Sequence, residues 1–260
     1  MKAKKKFGQN FLVDPYFINQ IIKEINPKES DEIVEIGPGQ GAITYPILKK
    51  IKHVSVIEID PDMVEVLKNK IDDKKITIFA GDILEIDQNY FTKFNKIIGN
   101  LPYYIATEII FKITKNHSSE AQLYFMVQKE VAERITAKPS TKAFGRLSVI
   151  LQYYFDTDLL FELPAKAFSP EPKVTSAFIR LIRKKRVGLK IMSESNFELI
   201  TKMAFAKKRK TIRNNFKNIL FDNDFLSLKI SPGARAETLS IEQFINLENY
   251  LTQKNINFDN

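Results

Sequence analysis

From residue 32 onward the chain alternates short apolar runs with helical stretches, and this alternation leaves few folds open to it. The runs 32–36, 53–59, 76–80, 96–99 and 122–127 have the length and β-branched content of buried strands. Helices are expected between them, near 42–50, 61–70, 107–114 and 129–137. Strands separated by helices pair in parallel, because a parallel neighbour needs a crossover that a hairpin cannot supply. The expected core is therefore α/β, a doubly wound, Rossmann-like sheet. Two further apolar runs, 151–155 and 176–182, are expected to add an antiparallel hairpin at the sheet edge. Ahead of the alternation, Asp14-Pro15 reads as an N-cap followed by a first-turn proline, and Ile18, Ile21, Ile22 and Ile25 form one apolar helical face. Asp60-Pro61 repeats the same start signal.

After Arg183-Lys184-Lys185-Arg186 the period becomes helical throughout, with Phe197, Ile200, Met203 and Ala204 on one stripe and Phe244, Leu247 and Leu251 on another. The expected division is an α/β catalytic domain over 1–186 and a small all-helical domain over 187–260. The chain has no Cys, which excludes disulfides and thiolate chemistry. Its two His, His53 and His117, lie far apart, so no His-based metal site is expected. No run approaches the length of a membrane span, and the expected location is cytoplasmic.

Residues 35–42, Glu-Ile-Gly-Pro-Gly-Gln-Gly-Ala, join the first strand to the first helix of the alternation. Glycines there allow close backbone approach to a ligand. Gly37, Gly39 and Ala42 also fit the dinucleotide fingerprint, and Glu58 stands where a carboxylate would bind ribose hydroxyls. The loop by itself does not choose a cofactor, and a plain tight turn would use the same residues. Two neighbours tilt the choice. Gly81-Asp82 follows the third strand, where a carboxylate can accept from an adenine amino group, and Asn100-Leu101-Pro102-Tyr103 follows the fourth. Acids at the ends of the second and third strands suit a ligand with a ribose, an adenine and a sulfonium but no phosphates. A pyrophosphate would be repelled.

An adenine amino nitrogen is a poor nucleophile because its lone pair is delocalised into the ring. Catalysis must favour a more tetrahedral nitrogen and hold it in line with the methyl. Asn100 supplies an amide oxygen to accept from the amino hydrogens, and Leu101 a backbone carbonyl held at a fixed angle by Pro102. Tyr103 offers a face for an extruded base, a stack worth about 1–3 kcal/mol. A strand-terminating turn would also use Asn and Pro. The position after the fourth strand of a ligand-binding sheet favours the catalytic reading.

These residues resemble the KsgA-type (RsmA) bacterial small-subunit ribosomal RNA adenine dimethyltransferases, relatives of the Erm resistance methylases. The resemblance runs from Lys6-Phe7-Gly8-Gln9-Asn10-Phe11-Leu12 through the glycine loop, Val56-Ile57-Glu58-Ile59-Asp60, Gly81-Asp82 and Gly99-Asn100-Leu101-Pro102-Tyr103. It continues through Gln128-Lys129-Glu130-Val131, Gly145-Arg146-Leu147-Ser148 and Phe168-Ser169-Pro170-Glu171-Pro172-Lys173-Val174 to Arg209-Lys210-Thr211 and Arg235-Ala236-Glu237-Thr238-Leu239-Ser240. It implies a class I methyltransferase fold, S-adenosyl-L-methionine as cofactor, and dimethylation of two adjacent adenines in the 3'-terminal hairpin loop of small-subunit rRNA. By the same resemblance Asn10 and Leu12 close the cofactor pocket, Gly37 lines the methionine portion, Glu58 takes the ribose and Asp82 the adenine, with Gly39, Ile59 and Ile83 as further cofactor-binding residues. Asn100 touches both cofactor and target, and Phe168 forms the wall of the base slot opposite Tyr103. No metal is implied. The motif carries Leu101 where DNA amino-methylases usually carry Pro, and the Arg-Ala-Glu-Thr-Leu-Ser run speaks against an Erm-type substrate. A non-catalytic assembly factor or an NAD dehydrogenase remains the reading from another class.

The net charge of +9 fits a polyanionic partner or a plain basic surface, and composition does not separate RNA, DNA and anionic membrane. Its distribution says more. Between Arg183 and Lys217 stand twelve basic residues and only two acids, Glu194 and Glu198. Lys207, Lys208, Arg209, Lys210 and Arg213 are the expected phosphate contacts. The expected partner is rRNA within an assembling small subunit, met by a monomer.

Overall fold

A computed structural model describes residues 4, 8–114, 121–185, 188–207 and 209–254. Lys2, Lys5, Lys6, Phe7, His117, Arg186 and Lys208 lie outside the described residues. The elements are β1 (Phe11–Leu12), α1 (Pro15–Ile25), β2 (Ile33–Ile36), α2 (Thr44–Leu48), β3 (Val54–Glu58), α3 (Pro61–Lys70), β4 (Ile76–Ala80), β5 (Lys96–Asn100), α4 (Ala106–Thr114) and β6 (Gln122–Gln128). There follow α5 (Lys129–Thr136), α6 (Arg146–Tyr154), β7 (Phe155–Leu163), β8 (Phe168–Ser169), β9 (Ser176–Arg183), α7 (Glu194–Ala204), α8 (Ile212–Asn215), α9 (Asp222–Ser227) and α10 (Ile241–Gln253).

The chain divides into two compact units, 1–132 with 156–184, and 133–155 with 185–260. The first unit is built on a seven-stranded sheet of order β4-β3-β2-β5-β6-β9-β7. Strands β4 to β6 run parallel in register, Val34 beside Ser55 on one side and Ile97 on the other. Every residue of β2 and β3 is buried, as expected of parallel strands covered on both faces. The chain steps outward from β2 to β3 to β4, then returns to place β5 on the other side of β2. Ligands bind at such a reversal, outside the carboxyl ends of the strands.

Local chemistry fixes the elements that frame this edge. Asp14 accepts from Tyr16 N to start α1, and Asp60 accepts from Asp62 N to start α3, each followed by Pro at the first helical position. The α1 helix ends at Asn26 in the left-handed conformation. Its last carbonyls are taken up by Lys96 at the start of β5, whose Nζ reaches Ile25 O at 3.0 Å, Asn26 O at 3.1 Å and Asp31 Oδ2 at 2.6 Å. Burial alone would raise the Asp31 carboxyl, but its bonds from Lys96, the Lys28 amide and Asn95 hold it below the ordinary value. The α1 face (Ile21, Ile22, Ile25) packs with Val54, Val56 and Ile98 of the sheet in one core.

Two expectations are corrected. The run 151–155 is not a strand: residues 151–154 finish α6, and the edge strand β7 begins at Phe155. Gln152 explains part of this, since its amide satisfies the Ile135 and Ala137 carbonyls from a helical position. Residues 176–182 do form an antiparallel strand, β9, which pairs with β6 and lies between it and the edge strand β7. The single cut between 186 and 187 also fails, because 133–155 belongs with the helical unit. There α6, α7 and α10 share a core: Tyr153 lies tilted against Phe197 at 4.8 Å between ring centroids, and Phe205 stacks on Phe244 at 5.8 Å. Phe197, Ile200, Ala204, Phe244, Leu247 and Leu251 are buried there as the helical period requires.

Candidate active site

A cavity opens at the carboxyl edge of β2, β3, β4 and β5. The glycine loop forms its floor. Gly37 and Gly39 adopt φ of +65° and +54°, a region that favours glycine, so the turn from β2 toward α2 needs those residues. Gly37 N donates to Ile57 O at 2.9 Å, and Gly39 N donates to Glu58 Oε2 at 3.0 Å. Glu58 Oε1 accepts from Asp60 N at 2.9 Å, so one carboxylate holds both the loop and the start of α3. Gly81 N donates to Glu58 O at 2.9 Å, joining the ends of β3 and β4. Asp82 accepts from Leu84 N at 2.8 Å and caps the short 3-10 turn of Ile83–Glu85.

At the end of β5, Asn100 Nδ2 donates to the Asn10 carbonyl at 2.8 Å. Leu101 N donates to Met126 O at 3.1 Å, which sets the peptide ahead of Pro102. The Tyr103 hydroxyl lies 2.5 Å from Ser176 Oγ, a buried side chain at the start of β9. Burial raises the Tyr103 phenol above its ordinary value, against the bond to Ser176.

The structure thus brings Asn10, Leu12, Gly37, Gly39, Glu58, Ile59, Asp82, Ile83, Asn100, Leu101, Pro102 and Tyr103 onto one cavity wall. Phe168 is the exception. It is 2% exposed, packs in the core and stands outside that wall. The reason is a short pairing: β8 runs antiparallel to β1, with Phe168 opposite Leu12, and Leu12 takes the place on the wall. Expected contacts Lys207, Arg209, Lys210 and Arg213 are exposed residues of the helical unit, and Arg213 pairs with Asp222 at 3.1 Å.

Sequence reasoning missed Glu35. It is 2% exposed, lines the cavity and accepts from Thr44 Oγ1 at 2.6 Å. An acid inside the apolar run Ile-Val-Glu-Ile was the available signal. Burial, with the Glu58 charge nearby and against the Thr44 bond, pushes its carboxyl from 4.5 up to about 7. A raised folded value favours the protonated form, so the stability it contributes is full below the ordinary range and is lost as pH rises to about 7. Glu35→Gln keeps an acceptor for Thr44 and removes the titration. The wild type should lose about 3 kcal/mol relative to this variant between pH 4 and pH 8, at about 1.4 kcal/mol per unit, as denaturant melts at both pH values would show. An unchanging difference would mean Glu35 is not held neutral.

The wall therefore carries three acids, Glu35, Glu58 and Asp82, and among the described residues no Lys, Arg or His. A cation is welcome there and a phosphate is not. That donor set fits S-adenosyl-L-methionine, whose sulfonium and ammonium are positive, better than a dinucleotide.

The comparisons agree with this geometry. The profile of the family Ribosomal RNA adenine dimethylase matches residues 1–253. A protein of Neisseria gonorrhoeae (strain NCCP11945) named Ribosomal RNA small subunit methyltransferase A is 44% identical over 254 residues, 97% of this chain and 98% of its own length. A protein of the same name from Nitrosospira multiformis is 41% identical over 250 residues, 96% of each chain. Among solved structures, a dimethyladenosine transferase from Plasmodium falciparum superposes with a TM-score of 0.81 at 25% identity, over 95% of this chain and 98% of that one. The 23S rRNA methyltransferase ErmE shares the fold, with a TM-score of 0.72 at 23% identity over 94% of this chain and 100% of that one. The α/β unit is accordingly a class I methyltransferase fold, accompanied by a helical unit. The chain belongs to the ribosomal RNA adenine dimethylase family.

Proposed function

We propose that this protein transfers methyl groups from S-adenosyl-L-methionine to the N6 amino nitrogens of two adjacent adenines in the 3'-terminal hairpin loop of small-subunit rRNA. The observation that carries the reading is the meeting of Glu58, Asp82 and Asn100 on one cavity wall at the switch point of the sheet. S-adenosyl-L-methionine supplies a methyl group activated by its positively charged sulfur. The chain's own residues do the rest. Glu58 would take ribose hydroxyls, Asp82 the adenine amino group, and Gly37 and Gly39 the close backbone approach. Asn100 Oδ1 and the Leu101 carbonyl would accept from the target amino hydrogens, which favours a tetrahedral nitrogen without a titrating base. Tyr103 would stack the extruded base, its hydroxyl held by Ser176. Phe168, buried beside Leu12, would reach the base only after a side-chain movement.

The helical unit is the proposed RNA-binding part, supported by the basic run around exposed Lys207, Arg209 and Lys210. Its phosphate contacts would position the RNA while the cavity selects the base. Reversing Lys207, Lys208 and Arg209 to Glu should weaken RNA binding and flatten the salt dependence by about two to three units in log–log slope. Cofactor affinity should stay unchanged. An unaltered slope in filter-binding titrations would remove this segment from the interface. The substrate is proposed to be an assembling small subunit in the cytoplasm, met by a monomer. No described helix is long and apolar enough to cross a membrane.

The test incubates the protein with labelled methyl donor and small subunits lacking these modifications, then maps the product. Label in N6,N6-dimethyladenosine at two neighbouring positions of the terminal hairpin is expected. Label elsewhere, or in monomethyl product alone at completion, would refute the proposal.

A further inference from the structure

The arm of residues 8–12 is tied down at both ends of the cavity edge. On the β3 side, Asp60 is fully buried and accepts from Lys4 Nζ at 2.6 Å and from Gln9 Nε2 at 2.7 Å. Gln9 Oε1 in turn accepts from Lys4 N at 2.7 Å. In the middle, the Phe11 ring lies over Gly39, where an added Cβ would stand 2.9 Å from it. On the β5 side, the Asn10 carbonyl accepts from Asn100 Nδ2 at 2.8 Å. Since β3 and β5 flank β2, the arm spans the glycine loop from one neighbouring strand to the other.

We propose that Asp60 is a positioning residue: by anchoring Gln9 and Lys4 it fixes the Asn10 carbonyl, and through that carbonyl the orientation of the Asn100 amide. The proposal rests on the reading of Asn100 as the acceptor for the adenine amino group. A planar amide has one donating and one accepting end. The Asn10 carbonyl can bind only the NH2 end, which commits Oδ1 to the other side. An Asn100 turned over would present hydrogens to the hydrogens of the target. Asp60 suits the anchoring role because it is already fixed from two further directions, capping α3 through Asp62 N at 3.1 Å and donating its own N–H to Glu58. Its carboxyl, raised by burial, is held below the ordinary value by Lys4 and Gln9, so the anchor is charged at neutral pH. None of this needs Asp60 to touch a substrate.

The experiment measures kcat at saturating S-adenosyl-L-methionine and saturating under-methylated small subunits, donor affinity and Tm, for Asp60→Asn, Gln9→Ala, Lys4→Ala and Lys4→Arg. Asn at 60 still caps α3 but loses the charge and one accepting oxygen. Saturated kcat is expected to fall about tenfold in Asp60→Asn and Gln9→Ala, the size of one lost orienting hydrogen bond. Lys4→Ala should follow them and Lys4→Arg should stay near the wild type. A merely structural anchor would lower Tm or donor affinity and leave saturated kcat alone, and that result overturns the proposal. Should Asp60→Asn fail to fold, Gln9→Ala decides. Wild-type transfer with unimpaired kcat in Gln9→Ala defeats the anchor alone, whereas a wild type without transfer defeats the functional reading with it.

Discussion

Asn100→Ala should lower saturated methyl transfer by about a hundredfold to a thousandfold while changing donor affinity by less than about tenfold. The asymmetry follows from where the side chain acts. In the resting structure its NH2 end serves the Asn10 carbonyl, a single hydrogen bond worth about 1 kcal/mol. In its proposed role the oxygen end would act on an amino group whose geometry changes only as the methyl is transferred, so its contribution would fall mainly on kcat. Asn100→Asp is the sharper companion. It keeps an acceptor for the amino hydrogens but sets a carboxylate against the Asn10 carbonyl, and it should recover little of the loss. Single-turnover rates measured beside calorimetric donor affinity separate the two effects. Near-normal turnover in the Ala variant would remove Asn100 from the chemistry.

Glu58→Ala should weaken donor binding by at least about a hundredfold, roughly 3 kcal/mol, and lower stability as well. The carboxylate accepts from Gly39 N and Asp60 N, so its loss leaves two buried amides without that acceptor and frees the glycine loop from β3. Glu58→Gln has one accepting oxygen where two amides need one, and should fall between the wild type and Ala. Burial raises the Glu58 carboxyl above its ordinary value, against the Asp60 and Gly39 amide bonds. Its contribution to stability is therefore complete at acid pH and diminishes as pH rises through the folded value. Donor affinity in Glu58→Ala close to the wild type would show that the ribose lies elsewhere.

Much of this architecture could be read from residue order. The parallel strands of the alternation announced themselves because burial on both faces demands continuous apolar runs, and Asp14-Pro15 and Asp60-Pro61 marked two helix starts. The run 151–155 misled because a buried helix segment and a buried strand look alike over a few residues. The domain cut was misplaced for a different reason. The charge run at 183–186 marks only one of the chain's passages between units, and nothing in 133–155 advertises that its helical residues pack with the C-terminal segment. At the site, Glu58, Asp82 and Asn100 were legible because strand ends are where such a sheet binds ligands. The Lys4–Gln9–Asp60 anchor was not, since its partners lie more than fifty residues apart and only the fold joins them. Ser176 gave no signal either; a serine opening a strand is unremarkable until Tyr103 is found against it.

The same acids that frame the cavity bear on the choice between donors. A sulfonium placed near Glu35 and Glu58 relieves two carboxyls that burial holds above their ordinary values, whereas a pyrophosphate would add to the repulsion. Calorimetric titration of the wild-type chain with S-adenosyl-L-methionine, and separately with NAD, is accordingly the most direct single measurement. Saturable binding of the methyl donor at one site per chain, with none of the dinucleotide, is the predicted result. No heat and no competition from S-adenosyl-L-methionine at millimolar concentration would contradict the assignment of the cavity.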